Sequence, residues 1–77
     1  MENKILNATI IAGNVHQLRL AANLTQSELA SKLHVSTSSV NAWERNKQYP
    51  NLINVLTLCN YFQVKVDDLI GVPSMKN

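Results

Sequence analysis

Apolar residues recur along the chain at intervals of three and four, which is the spacing of helices that bury one face. The first stripe consists of Ile11, Val15, Leu18 and Ala22, the second of Leu29 and Leu33, the third of Val40 and Trp43, and the fourth of Leu52, Val55, Leu56, Cys59 and Phe62. A last short helix is predicted at Leu69 and Ile70; the valines before it, at 64 and 66, would suit a strand, but the chain offers no partner strand. The pattern therefore predicts an all-α fold, a compact bundle of about five short helices.

Cap residues mark where these helices begin. Thr25 and Glu28 form a capping box, in which each side chain accepts a hydrogen bond from the other residue's backbone N–H. The remaining predicted N-caps are Ser36 for the third helix, Asn51 for the fourth, and Thr9 or Asn7 for the first.

The second and third predicted helices are brief and almost adjacent. Only His34 and Val35 separate the second helix from the Ser36 cap. Two short helices joined by a tight turn form a helix-turn-helix motif, here residues 26–45. We place this motif in one domain, residues 9–71, between an N-terminal tail at 1–8 and a C-terminal tail at 72–77.

Composition limits the classes of function. A chain of 77 residues, 45% hydrophobic and 16% charged, is expected to fold as one domain without room for a large buried active site. The net charge of +2 permits nucleic-acid binding without requiring it. The apolar run at 5–12 is too short to span a membrane and lacks the order of a signal peptide, so we expect a cytoplasmic protein.

Residues with catalytic or metal-binding chemistry are few and scattered. Cys59 falls on an apolar helix face and is interpreted as a core thiol. His16 is interpreted as solvent-facing and His34 as a turn residue, and neither lies near Cys59 at the spacing of a metal motif. We therefore expect no enzymatic activity, no metal or other cofactor, and no small-molecule ligand.

Several short motifs, taken with their spacing, carry a family resemblance. They are Leu24-Thr25-Gln26, Glu28-Leu29-Ala30, Val35-Ser36, Trp43-Glu44-Arg45 with Lys47, Pro50, and the stretch from Val64 to Leu69. From Ile11 to Gly71 the chain resembles the Cro/lambda-repressor-like helix-turn-helix proteins, also called the XRE family. The resemblance implies the lambda-repressor-like fold and a largely buried ion pair between Arg19 and Glu44. It also implies left-handed turns where the family commonly has glycine and this chain has Asn23, His34, Asn46 and Gln63.

The resemblance further implies how duplex DNA would be bound. The third helix enters the major groove, while the second lies across the sugar-phosphate backbone. The expected base-reading residues are Thr37, Ser38, Asn41 and Ala42, and the expected backbone contacts are Gln26, Ser39, Arg45, Asn46 and Lys47. Asn41 is the strongest candidate, since an amide can both donate to and accept from adenine. Alternatively, the residues from Ser36 to Ser39 only cap a helix, and Arg45 and Lys47 are solvated charges.

Binding through one such small domain would be weak, so a homodimer on a pseudo-palindromic operator is expected. The apolar candidates for the dimer contact are Tyr49, Ile53, Ile70 and Val72. The expected function is a transcriptional regulator, with repression as the favoured sense. The alternative is a protein-interaction module of the same fold, such as an antitoxin or anti-repressor. Retention of Gln26, Asn41, Arg45 and Lys47 favours DNA.

Overall fold

The computed structural model describes residues 8–71. Within that range the helices are α1 (Ala8–Ala21), α2 (Gln26–Leu33), α3 (Thr37–Glu44), α4 (Leu52–Phe62) and α5 (Val66–Ile70). This confirms the predicted all-α fold, and the described residues contain no strand at the two valines. None of these helices is long and apolar enough to cross a membrane. The predicted Asn7 cap and the two tails, apart from Ala8, lie outside the described residues.

Side-chain caps start three of the helices as predicted. The capping box before α2 is complete: the Glu28 N–H donates to Thr25 Oγ1 over 3.0 Å, and the Thr25 N–H donates to Glu28 Oε1 over 2.8 Å. Ser36 Oγ accepts from the Ser39 N–H, and Asn51 Oδ1 accepts from the Asn54 N–H. Such caps are each worth about 1 kcal/mol. Thr9 lies within α1 and is therefore not its cap.

Four helices end on a non-glycine residue in the left-handed conformation. These residues are Asn23, His34, Asn46 and Gln63, with φ between 58° and 61°. In each case the N–H of the following residue donates to a carbonyl five residues back, namely Leu24 to Arg19, Val35 to Ala30, Lys47 to Ala42 and Val64 to Cys59. This is the backbone hydrogen bond of a Schellman motif, which turns the chain sharply out of a helix. The four positions where the family commonly has glycine are thus the positions that are left-handed in this structure.

The C-terminal end of the bundle is fixed against α1. Asn14 Nδ2 donates to the backbone carbonyls of Asp68 and Leu69, at 3.1 and 2.8 Å, and so satisfies two groups at the end of α5. Gly71 follows with φ +78°, and a Cβ there would lie 2.5 Å from Cγ2 of Ile10. Glycine suits this position because it adopts the left-handed conformation without strain and because a side chain there would have to displace Ile10.

The core lies where α1, α2, α3 and α4 meet, with α5 closing it. Its fully buried side chains are Val15, Leu29, Val40, Leu58 and Leu69. Ala30 is also buried, on α2, and Trp43 fills the space at the end of α3. Because Ala30 has a small side chain, α3 can approach α2 closely, as the dense packing of a protein interior requires.

Two predicted stripes are partly wrong. Ala22 is exposed at the end of α1, while Ala12 and Arg19 are buried. On α4 the inward positions are Val55, Leu58 and Cys59, and Leu52 and Leu56 face solvent. The physical reason is that α4 carries two overlapping apolar stripes, and only packing against the other helices decides which one is buried.

We expect His34→Gly to stabilise the protein by about 0.5 to 1 kcal/mol, because removing Cβ relieves left-handed strain by more than it raises the entropy of the unfolded chain. In a domain of this size the melting temperature should rise by roughly 2 to 8 °C, measured by circular dichroism. Asn23→Gly is the matched control and should give a smaller rise, because Asn tolerates this conformation. A His34→Gly variant that melts below wild type would contradict this account.

Candidate nucleic-acid interface

α2, the connecting turn and α3 place one helix N-terminus at the surface. The left-handed His34 turns the chain, Val35 packs partly against the core, and Ser36 caps the next helix. Thr37 and Ser38 in the first turn of α3 are exposed, and Asn41 and Ala42 one turn later are half-buried. The opposite side of α3 is anchored by Val40 and Trp43. The first two turns of α3 therefore present an outward polar surface on a rigid support.

A buried ion pair connects α1 to the end of α3. Arg19 Nε lies 2.7 Å from Glu44 Oε2, and Arg19 Nη2 lies 3.0 Å from Glu44 Oε1, with side chains 10% and 4% exposed. Arg19 Nη1 also donates to the Leu24 carbonyl over 2.8 Å. One guanidinium therefore ties α1 to the residues before α2 and to the last residue of α3 with bidentate geometry.

The charge on both partners is stabilised by this contact. Burial alone would raise the pKa of Glu44, but hydrogen bonds from Arg19, His16 and Gln26 and the positive charge of Arg19 outweigh it, so the pKa lies below its usual value of 4.5. The hydrogen bond to Glu44 likewise raises the pKa of Arg19, against the opposing effect of burial. Glu44 is thus an ionised, acceptor-only group at neutral pH.

Glu44 is the centre of a larger set of side chains, which we call the Glu44 network: His16, Arg19, Gln26, Asn41 and Glu44. Gln26 Nε2 donates to Glu44 Oε1, and Asn41 Nδ2 donates to Gln26 Oε1, each over 3.1 Å. His16 Nδ1 lies 3.0 Å from Glu44 Oε1 and 3.2 Å from Arg19 Nη2. The network runs without a break from α1 to the outward side of α3.

Sequence reasoning missed the role of His16 in this network and the link between Gln26 and Asn41. His16 is part of it and not simply a solvent-facing residue, although its side chain is still 45% exposed. Its position three residues before Arg19 places both on one side of α1, which is the signal that could have revealed it. The link between Gln26 and Asn41 joins residues on two helices and has no sequence signal.

The other expected backbone-contact residues surround α3. Ser39 is half-buried and its hydroxyl is hydrogen-bonded to Ser36 Oγ over 3.0 Å, so it takes part in the cap. Arg45, Asn46 and Lys47 are exposed in the turn after α3. Between residues 29 and 66 the sequence has a single carboxylate, Glu44, and it is buried. The turn after α3 consequently carries two exposed cations and no exposed anion.

The expected dimer candidates separate into distinct surroundings. Tyr49 and Ile53 are exposed, at 69% and 68%. Ile70 is half-buried and packs against the core, so its expected exposure is wrong; the reason is that α5 closes the bundle over α1 and α4. Val72 lies outside the described residues. Leu52 and Leu56, which the sequence pattern places in the core, are exposed at 70% and 47%.

Comparison with known proteins gives the family. The profile described as helix-turn-helix matches residues 15–69, from α1 to the end of α5. The chain belongs to the helix-turn-helix family. The HTH-type transcriptional activator BcrR of Enterococcus faecalis is 39% identical over 57 residues, which make up 74% of this chain and 28% of BcrR.

Two solved structures show the same helix-turn-helix fold. The restriction-modification controller protein C.AhdI of Aeromonas hydrophila aligns with a TM-score of 0.73 and 26% identity, covering 80% of this chain and 94% of that one. The P22 c2 repressor in complex with a synthetic operator aligns with a TM-score of 0.74 and 27% identity, covering 78% and 91%. These structures confirm the predicted lambda-repressor-like fold class.

No group of three or more metal-ligating side chains occurs within residues 8–71. Cys59 is buried and forms no disulfide, and burial raises the pKa of its thiol. The sequence interpretation of Cys59 as a core thiol agrees with its place in the cluster.

Glu44→Ala should destabilise the protein by about 3 to 5 kcal/mol, because it strands the buried Arg19 charge. The change in free energy of unfolding is measured by urea denaturation followed by circular dichroism. Glu28→Ala is the matched control; it removes an exposed carboxylate from a capping box and should cost about 1 kcal/mol. Equal losses in the two variants would show that Glu44 is no more important than a surface cap.

The lowered pKa of Glu44 predicts a pH dependence of stability. Since the pKa of Glu44 is lower in the folded protein than its ordinary value of 4.5, its stabilising effect is complete above that value. It is lost as the pH falls through the lowered pKa. The difference in stability between wild type and Glu44→Gln should therefore shrink in acid, and a difference that is constant from neutral pH to strong acid would count against this assignment.

Proposed function

We propose that this chain is a sequence-specific duplex-DNA-binding transcriptional regulator that inserts α3 into the major groove. The observation that carries the proposal is the surface of α3: a polar N-terminal turn, projecting from a rigid support and followed by Arg45 and Lys47 with no exposed carboxylate. Bases are read by hydrogen-bonding and apolar groups that reach their edges, and phosphates by cations, polar side chains and backbone N–H groups. The surface of α3 and the turn after it offer groups of both kinds, for bases and for phosphates.

The docking we propose follows from the order of the helices. Residues at the start of α3 approach base edges, and the start of α2 approaches a phosphate. We assign base contacts to Thr37, Ser38, Asn41 and Ala42, and backbone contacts to Gln26, Ser39, Arg45, Asn46 and Lys47. The exposed hydroxyls of Thr37 and Ser38 can each donate or accept, and the methyl group of Ala42 suits a thymine methyl.

The similar proteins support this proposal and bear on its regulatory sense. The P22 c2 repressor is a repressor seen on operator DNA, whereas BcrR is an activator and extends well beyond the matched region. We propose repression for this chain, because a domain bound to an operator blocks other proteins from that DNA simply by occupying it. We also propose that it acts in the cytoplasm, because it matches relatives from bacteria such as Enterococcus faecalis, whose DNA lies there.

Lys47→Ala should weaken binding to all DNA sequences alike and lower the slope of log affinity against log salt by about 1, since one phosphate contact is lost. Fluorescence anisotropy with genomic DNA fragments at several salt concentrations measures both quantities. Lys65→Ala removes the same charge from the exposed start of α5 and should leave the slope unchanged.

Wild-type protein that is folded and yet shows no salt-sensitive binding to any duplex would overturn the proposed function. That result would favour the protein-interaction alternative, in which the same fold recognises a polypeptide.

We further propose that the protein binds its operator as a homodimer through an exposed apolar stripe. The stripe consists of Leu52, Ile53 and Leu56, whose spacing of one and three places them on one side of α4, together with Tyr49, which precedes α4 by three residues. It begins two residues after Lys47, so it lies beside the proposed DNA-contacting turn. Contiguous exposed apolar surface of this kind marks interaction sites. A symmetric pair of domains also matches a pseudo-palindromic site.

Ile53→Ser should reduce affinity for an inverted-repeat operator by about tenfold, while leaving affinity for a single half-site unchanged, since it removes apolar contact from both protomers. Analytical ultracentrifugation with labelled DNA gives the number of protomers on each duplex. Leu20→Ser is the control, because Leu20 is also exposed but lies on α1. Undiminished assembly of Ile53→Ser on the inverted repeat would remove α4 from the dimer contact.

A further inference from the structure

The Glu44 network fixes the direction of two side-chain amides as well as their positions. Glu44 is ionised and can only accept hydrogen bonds, so the end of Gln26 that faces it must be the NH2 group. The other end of Gln26 is then the carbonyl oxygen, and it can only accept. The end of Asn41 that faces Gln26 must therefore also be an NH2 group. A single buried carboxylate thus sets the polarity of a chain of hydrogen bonds that ends on α3.

The last group of this chain is the carbonyl oxygen of Asn41. The structure gives Asn41 Oδ1 no hydrogen-bond partner within residues 8–71, while its half-buried side chain is held through Nδ2. The same residues contain no buried side-chain oxygen or nitrogen without a partner, so Oδ1 reaches solvent. Asn41 lies one turn along α3 from Thr37 and Ser38, on the part of the helix that the proposed docking turns toward the bases.

We infer that Asn41 presents a fixed hydrogen-bond acceptor to the major groove and selects an amino-bearing base, adenine or cytosine, with Gln26 as the residue that positions it. This inference rests on the proposed function. Adenine N6 and cytosine N4 donate in the major groove, whereas guanine O6 and thymine O4 are acceptors that would face Oδ1 unfavourably. Adenine also offers N7 to the second hydrogen of Nδ2.

Without the network, Asn41 would have no such preference. Rotation of a carboxamide by 180° exchanges its donor and its acceptor at little energetic expense in solvent, so an isolated Asn can serve either kind of base. Here the reversal would turn Asn41 Oδ1 toward Gln26 Oε1, or force Gln26 Oε1 against the Glu44 carboxylate. Each alternative brings two acceptors together beside half-buried groups, which is unfavourable. The base preference therefore originates at Glu44, which acts on Asn41 through Gln26.

The test compares base preference, not affinity alone. Sites are selected from a random duplex pool with wild-type protein and with Asn41→Ala, which identifies the base pair whose preference depends on Asn41. We expect adenine or cytosine on one strand there, favoured by about tenfold over guanine or thymine, and the preference should disappear in Asn41→Ala. Gln26→Met should relax the discrimination at that pair severalfold while lowering affinity for every sequence by a common factor. Gln17→Met, the same change at an exposed position of α1, should alter neither quantity.

A DNA-side measurement keeps the inference testable if a protein variant fails to fold. Wild-type protein is titrated against an operator in which the contacted base has lost only its exocyclic amino group, and affinity should fall about as far as it does for Asn41→Ala. A preference for guanine or thymine at the Asn41-dependent pair, or full discrimination retained by folded Gln26→Met, overturns the inference and leaves the proposed function intact. Absence of all sequence-selective binding by wild type overturns the proposed function instead.

Discussion

The ionised carboxylate of Glu44 is the group on which the arrangement of the helices depends. Glu44 is the last residue of α3, and its side chain is 4% exposed. Two nitrogens of Arg19 donate hydrogen bonds to its carboxylate. Apolar packing is not directional, so the core alone would tolerate small rotations of α3 against α1. A buried ion pair tolerates very little rotation, because a buried charge that loses its partners is left with an uncompensated desolvation penalty. The pair therefore converts a packed bundle into one with a defined orientation for α3.

The connections between helices reinforce that orientation through the backbone. Three of them repeat one pattern: a left-handed residue, then an apolar residue, then an extended residue that begins the next helix. The three segments are Asn23-Leu24-Thr25, His34-Val35-Ser36 and Gln63-Val64-Lys65. In each the middle residue packs partly against the core and donates its N–H to the preceding helix. The angle between successive helices is thus set within three residues, which explains why such short helices hold their places.

The local parts of this structure could be predicted from sequence, whereas its contacts between helices could not. The capping box of Thr25 and Glu28 depends on residues three apart in the chain, so its signal is local. The left-handed ends at His34 and Gln63 follow from the family resemblance and not from a local pattern. The choice between the two apolar stripes of α4 depends on the surfaces that pack against that helix, so the sequence pattern alone places Leu52 on the wrong stripe. The pairing of Arg19 with Glu44 follows from the family resemblance and from no local pattern. The hydrogen bonds from Glu44 through Gln26 to Asn41 require side chains from two helices at known distances, which no spacing encodes.

The proposed recognition surface combines a rigid support with few directional groups. Thr37 and Ser38 carry hydroxyls that rotate, so each can match several bases and discriminates weakly among them. Ala42 offers only a methyl group, and Asn41 alone has an amide held in one orientation. A firmly positioned helix cannot adjust to a distorted duplex, so its affinity depends strongly on the width and bend of the groove. This dependence matters most where the helix contacts few base edges. For this protein we therefore expect sequence-dependent DNA shape, together with the spacing of two half-sites, to supply much of the selectivity that direct contacts do not.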